Sequence, residues 1–146
     1  MNLNVSSIRN RLRKLEQYIG ELEKHRKLTQ NQFRDDFTAQ LAVERAFQAG
    51  IECCSDIASH VVSVFKLGHP NEQRDLYTLL TKAGYLTEQF GEAMGEMSAF
   101  RNRIVHMYME IDITRLYQYL QEDVDYLKRF REIADAIIDA EESNEK

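Results

Sequence analysis

Apolar residues recur every three or four positions through most of this 146-residue chain, and this spacing favours helices over strands. The first stripe extends from Val5 to Leu22. A second, longer stripe begins at Phe33, includes Phe37 and Leu41, and continues to Phe65. No stretch shows the alternation of polar and apolar residues that is typical of a half-buried strand.

The clearest break in the helical pattern lies at Gly68 and Pro70, where a glycine can end one helix and the only proline prevents its continuation. Gly50 is a second position at which a helix could bend. Beyond the break, the spacing predicts a short helix over about 72–83, a fourth over about 87–101 and a fifth over about 114–138.

These segments predict an all-α fold, an antiparallel bundle of about five helices that are joined by short connections. A chain of this length is sufficient for one domain with a real hydrophobic core. We therefore expect a single helical domain over 1–146. The acidic residues at about 141–146 are expected to form a frayed tail.

Three small residues, Gly91, Gly95 and Ala99, recur at intervals of four on the fourth predicted helix. Small residues at this spacing allow the backbone of another helix to approach closely. That second helix could belong to the same bundle or to a second copy of the chain. The sequence alone favours neither interpretation.

Charge is distributed unevenly along the chain, whose net charge is −5. The basic residues Arg9, Arg11, Arg13 and Lys14 occupy one short stretch of the first helix. A negative net charge argues against broad, salt-driven coating of nucleic acid. The basic stretch is therefore either a solvated helix face or a local surface for nucleic-acid backbone or a partner protein.

The two cysteines, Cys53 and Cys54, are adjacent within the second predicted helix. Adjacent helical residues point about 100° apart, so a disulfide between them is not expected. They are interpreted as small buried side chains in a reducing compartment. With no apolar run long enough for a membrane span and no secretory leader pattern, a cytoplasmic protein without membrane contact is expected.

Metal and cofactor sites have no recognisable pattern in this sequence. His25, His60 and His69 lack the spacing of metal ligands, and no Gly-rich phosphate loop follows a strand. Neither a metal nor a cofactor is therefore expected.

The stretch with the most chemistry is Arg101-Asn102-Arg103-Ile104-Val105-His106-Met107-Tyr108, near the end of the fourth predicted helix. Arginine is a permanently charged fork that fits phosphate oxygens, and histidine changes its charge near neutral pH. Together the two side chains provide a cation for phosphate and an acid or base. This is the minimum needed to cut RNA without a metal.

Arg101-Asn102, followed by three residues and His106, resembles the R-[polar]-x3-H motif of HEPN domains, an all-α superfamily rich in ribonucleases. With Tyr108 the motif becomes R-x4-H-x-Y, which looks like that of HepT toxins, the HEPN half of HEPN–MNT toxin–antitoxin systems (the DUF86 family). The similarity extends over about residues 30–130. It implies an HEPN-like four-helix core and a homodimer in which two motifs face each other across one cleft.

The resemblance further implies a metal-independent endoribonuclease that acts on tRNA or another cellular RNA. In such an enzyme Arg101 would bind phosphate and stabilise the transition state, and His106 would transfer protons. Asn102 would position the substrate or the motif through hydrogen bonds. Arg103 is outside the family pattern and is either an auxiliary phosphate contact or a surface charge.

Elementary chemistry also favours two copies of the motif. Attack by a 2′-hydroxyl needs a base for its proton and an acid for the leaving 5′-oxygen, whereas one chain supplies one motif histidine. On a continuous helix, residues five apart differ by about 140°, so Arg101 and His106 would not share a face. The motif is therefore expected either to straddle a helix end or to meet its partners across a dimer interface.

Tyr108 has a second role in the family that the motif resembles. The resemblance implies that an MNT-type nucleotidyltransferase antitoxin attaches AMP to this tyrosine. The added phosphate charge would lie beside Arg101 and His106 and compete with RNA for the same cation. The alternative for Tyr108 is a core or hydrogen-bonded tyrosine.

The competing function for the whole chain is a non-catalytic helical subunit that binds a minimal nucleotidyltransferase. The presence of both Arg101 and His106 favours the ribonuclease, because a scaffold needs neither. Glu44, Glu52 and Asp56 on the second predicted helix are expected to make surface or intra-bundle polar contacts. A part in shaping the cleft is the alternative for these acids.

Overall fold

The computed structural model describes residues 2–106 and 112–144, and within those ranges it contains helices and no strands. The helices are α1 (Val5–Arg26), α2 (Gln30–Arg34), α3 (Phe37–Val64), α4 (Gln73–Lys82), α5 (Glu88–His106), α6 (Ile113–Glu122) and α7 (Val124–Asn144). The all-α prediction is confirmed. The described part contains seven helices instead of about five, because the second and the last predicted segments are each divided.

The second predicted segment is divided at Asp36, which starts a new helix. The side chain of Asp36 accepts a hydrogen bond from the backbone N–H of Ala39 at 3.0 Å and so caps α3. The buried amide of Gln40 donates to the carbonyl oxygens of Phe33 and Arg34, which satisfies acceptors at the end of α2. Polar side chains thus stabilise an interruption that the apolar spacing does not reveal.

The last predicted segment is divided by a tight turn at Asp123. The backbone N–H of Asp123 bonds the carbonyl of Tyr119, and the N–H of Tyr126 bonds the carbonyl of Asp123 three residues earlier. Leu120 and Val124, on either side of this turn, are fully buried. The turn therefore keeps both α6 and α7 against the core.

The frayed tail predicted at about 141–146 is wrong for its first residues, because α7 continues to Asn144. Glu142 forms an ion pair with Arg9 of α1, so the last helix is attached to the first. An exposed pair of this kind contributes between about 0 and 1 kcal/mol.

Helix α3 lies in the centre of the bundle and packs on α1, α4, α5 and α7. The backbone N–H of Asn4, before α1, donates to Nε2 of His60 near the end of α3, whereas Leu15 of α1 lies beside Gly50. The two helices are therefore antiparallel. Gly50 does not interrupt α3, and a Cβ at this position would make an ordinary van der Waals contact with the side chain of Leu127 of α7 at 3.6 Å.

Helices α3 and α5 are also antiparallel. Leu86, just before α5, lines one gap in the core together with Val61 near the end of α3. The ring of Phe100, near the other end of α5, packs edge-on against Phe47 in the first half of α3 at a centroid distance of 6.0 Å. The end of α5 that carries the motif therefore lies beside the first half of α3.

The glycines of α5 pack against α4 of the same chain. A Cβ on Gly91 would overlap the hydroxyl of Thr81, and a Cβ on Gly95 would lie 3.2 Å from the side chain of Arg74. The buried apolar residues of all seven helices form one connected core around these contacts. Of the two interpretations of the small-residue stripe, packing within the bundle accounts for Gly91 and Gly95.

Both cysteines are free thiols in this fold. Burial is the main reason that the pKa of Cys53 is raised and that the pKa of the fully buried Cys54 is raised well above its usual value. Across the two described ranges, no helix is both long and apolar enough to cross a membrane.

Candidate active site

The motif lies at the end of α5. Arg101, Asn102 and Arg103 are within this helix, and His106 is its last residue. The side chain of His106 and the whole of Tyr108 lie outside the described residues. No helix end separates Arg101 from His106, so the first of the two expectations for this spacing is not observed. The two positions are about 140° apart around the axis and about 7.5 Å apart along it.

The position of Arg101 follows from the apolar stripe of α5. Phe90, Met94 and Met97 are buried at spacings of four and three, and Arg101 follows Met97 by four. It therefore continues the buried face of the helix and lies at the edge of the core. Its side chain is only 16% exposed, although guanidinium groups remain charged in proteins.

Glu52 of α3 compensates the charge of Arg101. Oε2 of Glu52 lies 3.2 Å from Nη2 of Arg101, and the Glu52 side chain is 46% exposed. Nη1 of Arg101 donates to the amide oxygen of the neighbouring Asn102 at 3.3 Å. Both terminal nitrogens thus have an acceptor, while the buried Nε has none among the described residues. The outer edge of the guanidinium is held at the surface, between a carboxylate and an amide.

Asn102 and Arg103 are exposed on the solvent side of the motif. The guanidinium carbon of Arg103 lies 6.0 Å from the centre of the Phe100 ring, at the limit of a cation–π contact. The amide oxygen of Asn102 is close enough to accept a hydrogen bond from Arg101. Arg103 remains either an auxiliary phosphate contact or a surface charge.

Two apolar residues of α3 that were expected in the core are exposed. Phe37 and Leu41 were included in the predicted buried stripe, but they are 69% and 50% exposed. The interruption at Asp36 shifts the buried face of α3, which includes Ala39 and Val43 instead. Phe37, Leu41 and Glu52 fall within about 60° around the helix axis, so the exposed apolar pair lies on the same side of α3 as Glu52, about 22 and 16 Å before it along the axis.

Glu44 lies between this apolar pair and Glu52 along the chain. Burial raises the pKa of its carboxyl. The sequence placed Glu44, Glu52 and Asp56 together as polar contacts of one helix, and the structure separates their roles. Glu52 contacts the motif arginine, whereas Oδ2 of Asp56 lies 3.7 Å from Nε of Arg11 on α1.

The basic stretch of α1 is partly neutralised in the same way. Arg9 pairs with Glu142, Arg11 pairs with Asp56, and Arg13 donates to the side chain of Asn10. Both interpretations of this surface remain. In residues 2–106 and 112–144, no group of three His, Cys, Asp or Glu side chains could hold a metal ion.

The chain is similar to known proteins in both sequence and structure. A family model described as ribonuclease HepT-like matches residues 15–134. The chain is similar to an mRNA nuclease HepT from Shewanella oneidensis, with 27% identity over 132 residues, 90% of this chain and 93% of the relative. It is also similar to a tRNA nuclease HepT from Aphanizomenon flos-aquae, with 27% identity over 145 residues and 99% of each chain.

Among solved structures, the chain resembles the tri-AMPylated HEPN toxin of Shewanella oneidensis in complex with its MNT antitoxin. The TM-score is 0.81 at 28% identity, and the match covers 93% of this chain and 99% of the toxin. The similarity therefore extends over most of the bundle. The range matched by the family model, 15–134, includes the end of α5 where the motif lies.

Proposed function

The chain belongs to the HepT-like ribonuclease family, and from this premise we propose that it is the RNA-cleaving toxin of a toxin–antitoxin pair. The substrate is tRNA or another cellular RNA in the cytoplasm, and cleavage needs no metal. The observation that carries the proposal is the position of Arg101. Its guanidinium lies at the edge of the core, with the terminal nitrogens held at the surface, about 1.4 helical turns before His106.

The proposed reaction is attack of a ribose 2′-hydroxyl on the adjacent phosphate. Arg101 binds the phosphate and stabilises the charge that develops on its oxygens, because its guanidinium is permanently charged and already desolvated on its inner side. His106 removes or supplies the proton. Asn102, which accepts a hydrogen bond from Arg101, orients the guanidinium or the substrate.

We propose that the active form is a homodimer. Arg101 and His106 belong to one continuous helix, and their positions lie about 140° apart around its axis. A phosphate bound by Arg101 of one chain would therefore be reached more readily by the histidine of another chain. Two copies also supply the acid and the base that the reaction needs. The exposed pair Phe37 and Leu41, on the same side of α3 as Glu52, offers an apolar contact for the second copy.

The proposed antitoxin is an MNT-type nucleotidyltransferase that attaches AMP to Tyr108. A phosphodiester two residues beyond His106 would add negative charge close to Arg101 and would compete with the RNA phosphate. The rival function, a non-catalytic subunit of a nucleotidyltransferase, is less well supported. Burial of the charged Arg101 requires a compensating acid, and a pure scaffold gains nothing from keeping that charge.

The decisive experiment compares the purified wild-type protein with the His106→Ala and Arg101→Ala variants on total RNA and on tRNA, with a chelator present. The wild type should cleave, and each variant should lose about a hundredfold or more of the rate, because proton transfer or charge stabilisation is removed. Arg115→Ala, which removes an exposed arginine of α6 outside the motif, is the matched control and should retain cleavage and helical content. Cleavage by both variants at the wild-type rate would refute the assignment.

A further inference from the structure

We propose that Glu52 is the positioning residue of Arg101. It holds the guanidinium in the orientation that receives the RNA phosphate, and it balances the arginine charge while no phosphate is bound. This inference rests on the proposed ribonuclease function and deepens it. Nothing in the motif itself indicates Glu52, which lies 49 positions before Arg101 and on a different helix.

The contact geometry supports a positioning role. A guanidinium can offer a carboxylate two parallel hydrogen bonds, but Glu52 approaches only Nη2, at 3.2 Å. Asn102 takes Nη1, and Nε is buried without an acceptor among the described residues. The plane of the guanidinium is therefore set by one contact at each terminal nitrogen. Loss of the Glu52 contact leaves only the exposed Asn102 to restrain the outer edge.

The burial of the two partners supports the same role. Arg101 is 16% exposed and Glu52 is 46% exposed, so the cation is largely desolvated while its partner retains contact with water. A buried charge that loses its partner is strongly destabilised, whereas a half-exposed carboxylate can be rehydrated. When an RNA phosphate reaches the outer edge of Arg101, the half-exposed Glu52 carboxylate can therefore gain water at a small cost while it keeps its contact with Nη2.

The position of Glu52 also predicts a competition. Its carboxylate and an incoming phosphate are both anions, and both interact with the guanidinium of Arg101. Glu52 thus orients the arginine but opposes substrate binding, and its removal should affect these two steps in opposite directions. A purely structural ion pair would change stability and leave both kinetic parameters of the folded enzyme unaltered.

The first test measures cleavage kinetics of Glu52→Gln, which removes the charge and leaves only a neutral, weaker acceptor for Nη2. We expect kcat to fall by about tenfold, because the guanidinium is less well oriented. We expect KM to fall by about three- to tenfold, because the competing anion is gone. Glu52→Asp should recover part of kcat. Asp56→Asn removes the same charge from the same helix one turn away and should leave both parameters within about twofold, because the carboxylate of Asp56 is paired with Arg11 of α1 and not with Arg101.

A second test does not depend on activity. The two Nη signals of Arg101 in arginine-selective nitrogen NMR should be resolved in the wild type and in Asp56→Asn, because rotation of the guanidinium is restricted. They should merge in Glu52→Gln, and their absence in Arg101→Lys assigns them. If the wild type fails to cleave RNA, the proposed function is wrong, and merged signals in Glu52→Gln still support positioning. Unchanged signals, or equal kinetic changes in Glu52→Gln and Asp56→Asn, would overturn the proposal.

Discussion

The rings of Phe100 on α5 and Tyr119 on α6 lie 4.1 Å apart, at an angle of 30°. Phe100 also packs edge-on against Phe47 of α3, so aromatic contacts on two sides set the rotation of α5 about its axis. The residue that follows, Arg101, is thereby directed towards Glu52. The packing of Phe100 thus determines the orientation of Arg101. Phe100 supports the candidate site, whereas Arg101 belongs to the site itself.

Gly91→Ala should destabilise the protein by about 1–2 kcal/mol. The new methyl group would overlap the hydroxyl of Thr81, which donates to the carbonyl of Tyr77 at 2.7 Å and would have to move. Gly20→Ala is the matched control, because Gly20 is helical and exposed with no atom within 4 Å, and it should stabilise by about 0.5–1 kcal/mol. Denaturant unfolding measures both, and a Gly91→Ala protein of unchanged stability but altered oligomeric state would contradict the packing of α4 on α5.

The stability of the protein should depend on Asp123 in a defined pH window. Burial, and then the charge of Glu122, raises the pKa of Asp123 to about 6 from 3.8. Because folding disfavours the ionised form, the stability associated with neutral Asp123 is complete below about pH 4 and is lost as the pH rises through 6. Asp123→Asn should therefore be more stable than the wild type at pH 7.5, by about 1 kcal/mol given the partial exposure of the group, and equal to it at pH 4.

Asp125, two residues further, provides the opposite case. A hydrogen bond and ion pair with Arg26, with oxygen–nitrogen distances of 3.0 and 3.1 Å, lower the pKa of its carboxyl. Its contribution is present above the unfolded pKa and is lost as the pH falls through the lower folded value. Thermal unfolding of Asp125→Asn should show a loss at pH 7.5 that disappears in acid. Equal pH profiles for the Asp123 and Asp125 variants would show that at least one of the two environments does not act as described.

Phe37→Asp should convert the proposed homodimer into monomers without loss of helical content. Phe37 is 69% exposed, so its replacement removes no core contact, but a charge there would oppose the apolar contact with a second copy. Thr38→Asp introduces the same charge one residue later, on an exposed position about 100° around the helix, and should leave the dimer intact. Sedimentation equilibrium distinguishes the two, and a Phe37→Asp dimer as tight as the wild type would place the interface elsewhere.

Tyr108→Phe should abolish AMP attachment when the protein is co-expressed with a nucleotidyltransferase antitoxin. Intact-mass measurement should show one or more adenylyl additions on the wild type and none on this variant, because the phenol oxygen that would accept the group is absent. Tyr126→Phe is the control, since Tyr126 is an exposed tyrosine outside the motif. Modification that persists in Tyr108→Phe would exclude this residue as the acceptor.

Much of the fold was predictable from local spacing. Five of the six apolar residues of the first predicted stripe, from Ile8 to Leu22, are buried, and Val5 at the start of α1 is partly buried. The break near Gly68 separates α3 from α4 as expected. The spacing failed at Phe37 and Leu41, because a polar cap at Asp36 begins a new helix and shifts its buried face. Periodicity describes one helix at a time, so a change of the buried face between two consecutive helices such as α2 and α3 is easily read as one long stripe.

The sequence by itself determined the helical class, the approximate helices and the residues of the motif, because these depend on the spacing and chemistry of nearby side chains. The tertiary structure alone decided what surrounds them. The partner of Arg101 is Glu52, the glycines of α5 contact α4, and the apolar pair on α3 is left exposed. Each of these depends on the register between helices that are distant in the chain, and that register is set by packing of the whole core.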